Sequence, residues 1–396
     1  MHAAADRHHH GLGSGRSILS LRRDPPVHSL DALPLPPSSP HDHIGIQEAD
    51  LESFQRQVTE RFQDLMSCSG PEEILSVAWT QRLLEVFLSL QEQFHGLVLK
   101  VPSPRSTAVD RTLNEFYDRS VKALDVCNAV RDGIEQVRSW GKLLEIVLFA
   151  LDIKKKNLGE GQFRRAKKAL VDLAIGMLDR KDPGAMNSHR NRSFGRSNNN
   201  CSNPTTPRDY SSADRFRSLS WSVSRVWSAA KQIQSIGYNL NYPKGNEIVA
   251  THGLALAAYT MGVVLLFVMW ALVAAIPCQD RGLQAHFAVP RQLGWASPLL
   301  TLHDRIVEES KRKERKNACG LLREIYLIEK WSRAVRESVD LASFPLEDEK
   351  EREMTERVEE LRKVFESLNN GLDPLERQVR VVFHHIVRSR TEASGI

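Results

Sequence analysis

The chain has 396 residues, 41% of them hydrophobic, enough for a substantial core and for two or three domains. Its formal net charge of +5 is too mild a bias for a nucleic-acid-binding protein, and no nucleic-acid partner is expected, although the charge is compatible with an anionic membrane lipid. Five cysteines (Cys68, Cys127, Cys201, Cys278 and Cys319) lie far apart without a Cys-x-x-Cys pair, which excludes a zinc ribbon and points to a reduced, intracellular chain.

Residues 1–46 read as a disordered tail, rich in His, Ser, Gly and Pro. His8, His9 and His10 lack the fixed second shell that a metal site needs. Gly11, Gly13 and Gly15 precede no βαβ unit and no Gly-Lys-Ser/Thr, so a phosphate loop is not supported. Residues 1–30 contain no apolar core of a secretory signal. Within the tail, Ile18, Leu19 and Leu21 form an apolar patch flanked by Arg16 and by Arg22 and Arg23. That pattern suits a short docking peptide or a lipid-surface contact, or else a strap packed on its own bundle.

Residues 47–181 carry the spacing of a helical bundle. Leu51, Phe54, Val58, Phe62 and Leu65 repeat at three and four over 47–68. After Ser69-Gly-Pro71, with Ser69 as candidate N-cap, a second helix is expected to run to Leu99. A long pattern spans Ala108–Leu151, with Trp140-Gly141 as a candidate bend, and a fourth helix covers about Gln162–Arg180. Short connections would let these four pack as antiparallel neighbours.

Residues 182–213 read as a disordered basic linker. Between Arg180 and Lys244 there are eleven basic residues against three acidic, a balance of +8. Thr206, Ser218 and Ser220 are candidate phosphorylation sites, where added phosphate would weaken attraction to anionic membrane. Helix is expected again over Ser212–Ile236, followed by a loop to Gly245.

Leu254–Ile276 is the most apolar stretch, 23 residues without a charge. As a helix it would reach roughly 34 Å, enough to cross a hydrocarbon core of about 30 Å. Leu254, Val263, Leu266, Phe267, Trp270 and Ile276 would face lipid in that reading. Tyr259 and Trp270 do not sit at its ends as an aromatic belt prefers, and basic residues flank it on both sides. Those features fit a helix buried on all sides in a bundle equally well. Cys278, just beyond, is a candidate for S-acylation, with a plain thiol as the simpler reading.

Residues 277–396 read as a helical region: one charged helix from about Leu299 to Ala342, then two helices, Glu347–Leu368 and Pro374–Arg388, separated by a C-cap at Asn370-Gly371. The run Lys311-Arg-Lys-Glu-Arg-Lys316 reads as a solvated helix face, with nuclear import or lipid contact as the functional alternatives. No nucleophile elbow, His-Glu-x-x-His, Walker loop or dinucleotide fingerprint is present, so no enzymatic activity and no cofactor are expected. The fold class expected is all-α, in long-helix antiparallel bundles.

Two stretches, Gly15-Arg-Ser-Ile-Leu-Ser-Leu-Arg-Arg-Asp24 with His28-Ser29, and Phe54-Gln-Arg-Gln-Val-Thr-Glu-Arg-Phe62, resemble the plant BYPASS-related family, and the order of parts matches over nearly the whole chain. The N-terminal signature looks most like the family's exocyst-interacting, ROH-type branch. The resemblance implies a non-catalytic plant regulator, either a membrane-associated adaptor on the cytoplasmic side that binds an Exo70-type exocyst subunit, or a soluble cytosolic regulator of shoot and root development. A single-pass membrane protein fits the first reading; a buried Leu254–Ile276 fits the second.

Overall fold

The computed structural model describes residues 46, 48–67, 70, 73–102, 104–152, 159–178, 228–278, 283, 285–315 and 318–394. The chain divides into Met1–His43 and Ile44–Ile396. The first unit lies outside the described residues, and every element below belongs to the second. Among the described residues there are ten α-helices, one 3-10 turn and no strand: α1 (Glu48–Ser67), α2 (Val77–Leu99), α3 (Thr107–Ala150), α4 (Glu160–Met177), α5 (Ala229–Gly237), α6 (Gly245–Ala250), α7 (Leu254–Ala275), α8 (Ala296–Lys311), the turn Lys313–Arg315, α9 (Arg323–Asp340) and α10 (Asp348–Ser394). The all-α expectation holds.

Helix α7 lies at the centre. It packs against α1, α2, α3, α5, α6 and α8, which is why it needs no polar face: each direction around its axis meets another helix. Its few polar side chains are paired. Gln55 of α1 donates to Thr260 Oγ1 at 2.9 Å and accepts from Trp295 Nε1 at 2.7 Å. Tyr259 donates its hydroxyl to Ala288 O, and Trp270 donates Nε1 to Leu283 O, each at 3.2 Å.

Both ends of α7 are closed by protein. At the start, Gly253 has φ +84°, a conformation that suits glycine, and Thr251 Oγ1 accepts from Ala255 N at 3.0 Å. At the end, the carbonyls of Ala274 and Ala275 accept from Leu321 N and Leu322 N at 2.9 and 3.0 Å. Terminal helix carbonyls need such partners when they are buried. The approach demands small residues: a Cβ on Gly133 of α3 would sit 2.3 Å from Pro277 O, and one on Gly320 would sit 2.5 Å from Ala275 O.

The outer layer is built on α3, which contacts α4 and α10 as well as α5 and α7. Helix α10 lies on α2, α3 and α9, and α4 lies on α3 and α9. The buried apolar side chains of all these helices form one continuous cluster.

Several boundaries differ from the sequence expectation. Helix α2 begins at Val77, capped by Ser76, whose hydroxyl accepts from Trp79 N at 3.0 Å; Ser69 lies outside the described residues. Helix α3 runs unbroken through Trp140-Gly141, where the glycine admits the ring of Phe365. The expected helix 299–342 is two helices, because residues 318–322 leave the helical path to meet the end of α7. The expected pair 347–368 and 374–388 is a single helix, α10, with Pro374 inside it. There Gly371 serves close packing rather than a cap: its carbonyl accepts from Gln81 Nε2 at 2.9 Å, and a Cβ would sit 2.5 Å from Val77. The loop before α7 contains the short α6, whose Glu247 accepts from Lys244 N at 2.9 Å. Of the helix expected over 212–236, the described part is α5.

Candidate functional site

The residues singled out in the apolar stretch all lie inside the protein: Leu254, Val263, Leu266, Phe267, Trp270 and Ile276 are each at most 6% exposed. Helix α7 is long and apolar enough to cross a membrane, and 94% of its most apolar window is covered by other parts of the chain. The docking-motif residues Arg16, Ile18, Leu19, Leu21, Arg22 and Arg23, and the phosphorylation candidates Thr206, Ser218 and Ser220, lie outside the described residues. Cys278 is half-buried, its thiol directed at Ala129 O at 3.9 Å. The Cys127 thiol is pushed up to about 12 by burial, which keeps it from acting as a nucleophile.

A polar cleft of about 390 Å³ lies between α3 and the α5–α6 connection. Its charged groups hold the fold together. Arg119 donates to the carbonyls of Ile236, Glu115 and Tyr238 at 2.9, 3.4 and 3.4 Å. Arg111 pairs with Glu247 at 3.4 Å. The hydroxyls of Thr112 and Thr251 are bonded back to carbonyls one helical turn earlier. The Tyr259 hydroxyl is pushed up to about 12 by burial and, secondarily, by Tyr242. No nucleophile–base pair is formed among the lining residues, and no cluster of His, Cys, Asp and Glu able to hold a metal occurs among the described residues.

The more informative surface surrounds α4. This helix buries Phe163, Ala166, Leu170, Leu173 and Met177 but also exposes Val171, Ile175 and Leu178. The end of α3 beside it exposes Ile146 and Phe149. Phe149 is 64% and Leu178 63% exposed, far above the rest of the apolar cluster. Two grooves result. One, of about 510 Å³, runs between α4 and α9, with Val171, Ile175 and Leu178 on one wall and Glu329, Ser332, Arg333 and Arg336 on the other. The second, of about 680 Å³, places Ile146 and Phe149 against Lys142, Arg165 and Lys168. Lys167 and Asp340, 2.6 Å apart, tie α4 to α9. Ser332 is 8% exposed, and its hydroxyl lies in the first groove without a hydrogen-bond partner among the described residues. Arg333 is held by Glu329 at 2.8 Å, whereas Arg336 has no ion pair among the described residues. Glu145 and Asp172 also line the second groove; an apolar floor with charged rims of both signs is the composition expected of a surface for an amphipathic partner segment. By spacing alone Leu178 falls on the same side as Phe163, Ala166, Leu170 and Leu173, whereas in the structure it is exposed with Val171 and Ile175.

Comparison with known proteins points to one plant family. A family model described as "Protein ROH1-like" matches residues 5–396. Protein ROH1D of Arabidopsis thaliana is 55% identical over 388 residues, 96% of this chain and 94% of that one. Protein ROH1A of the same plant is 36% identical over 87% of this chain and 89% of its own length. Protein BPS1, chloroplastic, also from Arabidopsis thaliana, is a more distant relative, 19% identical over 86% of this chain and 81% of its own. No solved structure matches. The near-complete match to the family model and to two close relatives places this chain in the ROH1-like family.

Proposed function

We propose that this chain is a non-enzymatic adaptor that binds a partner protein through the apolar shoulders of α4, and that the partner is an Exo70-type subunit of the exocyst tethering complex. The observation that carries the reading is the exposure of Ile146 and Phe149 in the groove on one flank of α4 and of Val171, Ile175 and Leu178 in the groove on the other. Apolar groups in such number at one surface mark a contact with another macromolecule. Support for the partner comes from the likeness of the N-terminal signature to the exocyst-interacting branch of the family.

In the same reading α7 is the core helix of a water-soluble body, and any membrane association is peripheral, on the cytoplasmic side. The closed ends of α7 and the pairing of Thr260, Tyr259 and Trp270 with neighbouring protein support this. A lipid-facing helix would leave its flank bare.

The test is direct binding of the purified full chain to an Exo70-type subunit, by titration, beside a Phe149→Asp/Ile175→Asp variant of unchanged melting temperature. Loss of binding by the variant, at least tenfold, is expected. Equal binding by both would remove α4 from the interface, and no binding by the parent chain would remove the partner.

A further inference from the structure

The described part of the basic run, Lys311–Arg315, is not a uniform solvated face. Arg315 turns inward and its side chain is 5% exposed. Its guanidinium donates Nε to Glu309 at 3.0 Å and lies 4.3 Å from the centre of the Tyr326 ring. Around it opens a cleft of about 510 Å³, formed by α8, the 3-10 turn and the first turns of α9. Five basic residues line it, Arg305, Arg312, Arg315, Arg323 and Lys330, against two acidic ones, Glu308 and Glu309, and the Glu324 carboxylate acts on Arg315 and Arg323 from beside it.

Glu309 is already shared, bonded to Arg315 and to Arg312 Nη1, each at 3.0 Å. Arg305 has no ion pair among the described residues. The positive charge therefore exceeds its local compensation inside a concavity. Burial, together with the neighbouring charge of Arg312, lowers the proton affinity of Arg315 despite Glu309. An added anion would relieve that imbalance. Guanidinium groups that line one cleft from three elements suit the several oxygens of phosphate better than one carboxylate, because a guanidinium fork can donate two parallel hydrogen bonds. The volume falls within the range of small-ligand sites, roughly 300–1,000 Å³.

We propose that this cleft binds a compact polyphosphate, specifically the phosphorylated polyol ring shared by free inositol phosphates and phosphoinositide headgroups. The site is separate from the α4 surface and does not depend on the partner assigned to it. Carried on a lipid, the headgroup would hold the protein at a membrane without insertion of α7.

The test is calorimetric titration of the full chain with inositol hexakisphosphate, with inorganic phosphate as comparison, and co-sedimentation with vesicles containing phosphatidylinositol bisphosphate or phosphatidylserine at matched charge. The variant Arg305→Ala/Lys330→Ala alters two exposed side chains of the cleft; Arg56→Ala/Lys363→Ala removes equal charge elsewhere. Saturable binding of the inositol phosphate, weakened at least tenfold by the cleft variant and less than twofold by the control, supports the site. Preference for the phosphoinositide vesicles then assigns the headgroup to lipid, and binding of the soluble ring alone assigns it to the free form. Equal weakening by both variants, or no binding of ring and vesicle alike, overturns the proposal. Should the double variant melt early, Arg305→Gln alone applies the same criterion.

Discussion

Glu324 of α9 caps the start of α2: both its carboxylate oxygens lie 3.2 Å from the backbone nitrogen of Val77. The partners are 247 positions apart in sequence. Beside them Leu75, at φ +63°, offers its carbonyl to Arg323 N at 2.9 Å. A carboxylate is favourable at a helix N-terminus, where backbone N–H groups are unpaired. The cost is burial, which raises the Glu324 carboxyl above its ordinary value even though the Val77 N–H and nearby arginines oppose the shift.

Glu324→Ala should therefore destabilise the fold by roughly 1–3 kcal/mol through loss of the acceptor. Glu324→Gln keeps an acceptor and should cost far less. The pH dependence follows from the direction of the shift. A raised folded-state value means that the contribution of Glu324 is greatest below its unfolded value and declines as pH rises through the folded one. The stability difference between Glu324→Gln and the parent should thus move in favour of glutamine over that window in urea melts. A gap that instead widened against glutamine as pH rises would contradict the assignment.

Arg138 of α3 fastens α10 at its proline. It contacts Asp373 at 2.6 Å and Glu376 at 2.7 Å, on either side of Pro374. Burial alone would raise the Glu376 carboxyl, but hydrogen bonds from Arg138 and Arg380 overcome it and hold it below the usual range. Arg138→Ala should cost about 2 kcal/mol, an estimate reduced for partial exposure. The contribution of Glu376 is present above the ordinary carboxylate range and fades as pH falls through its lowered value. Acid melts of parent and Arg138→Ala should therefore converge; a constant gap at all pH values would count against the pairing.

Glycine contacts around α7 give a sharper contrast. Gly133→Ala and Gly320→Ala push a methyl group into backbone oxygens of the α7 exit and should each cost about 1–3 kcal/mol or more. Gly96 of α2 has nothing within 4 Å of an added Cβ, and Gly96→Ala should add roughly 0.5–1 kcal/mol from helix propensity. Thermal melts of the three variants decide it: similar shifts for all would mean that the close approach is not tight.

Surface residues of α4 should behave in the opposite way to core residues. Ile175→Ser and Leu178→Ser should change stability by no more than about 0.5 kcal/mol. Thermal melts of the two variants check this. A loss on the scale of a core truncation, roughly 2–5 kcal/mol, would mean that these side chains are covered by the rest of the chain.

The helices were legible wherever one apolar face repeats at three and four, as with Phe54, Val58, Phe62 and Leu65 of α1. What escaped depends on distant contacts. Asn370, Gly371 and Pro374 spell a helix end locally, yet Gln81, Val77 and Arg138 hold one helix through them. The break between α8 and α9 is set by hydrogen bonds to the end of α7, not by a strong local stop. The inward turn of Arg315 was hidden in a run of charges whose spacing suggests solvent. The grooves beside α4 join residues of α3, α4 and α9 that are far apart in the chain. For α7, composition permits both a span and a core, and the helices that surround it in the structure are not readable from the stretch itself.

Fractionation of the tagged full chain from plant cells tests most directly the claim that α7 is a core helix. Membranes would be washed in turn with high salt, alkaline carbonate and detergent. The account predicts recovery in the cytosol or release by salt, and a purified protein that stays monodisperse without detergent. Release by detergent alone would contradict it and place Leu254–Ala275 in the bilayer.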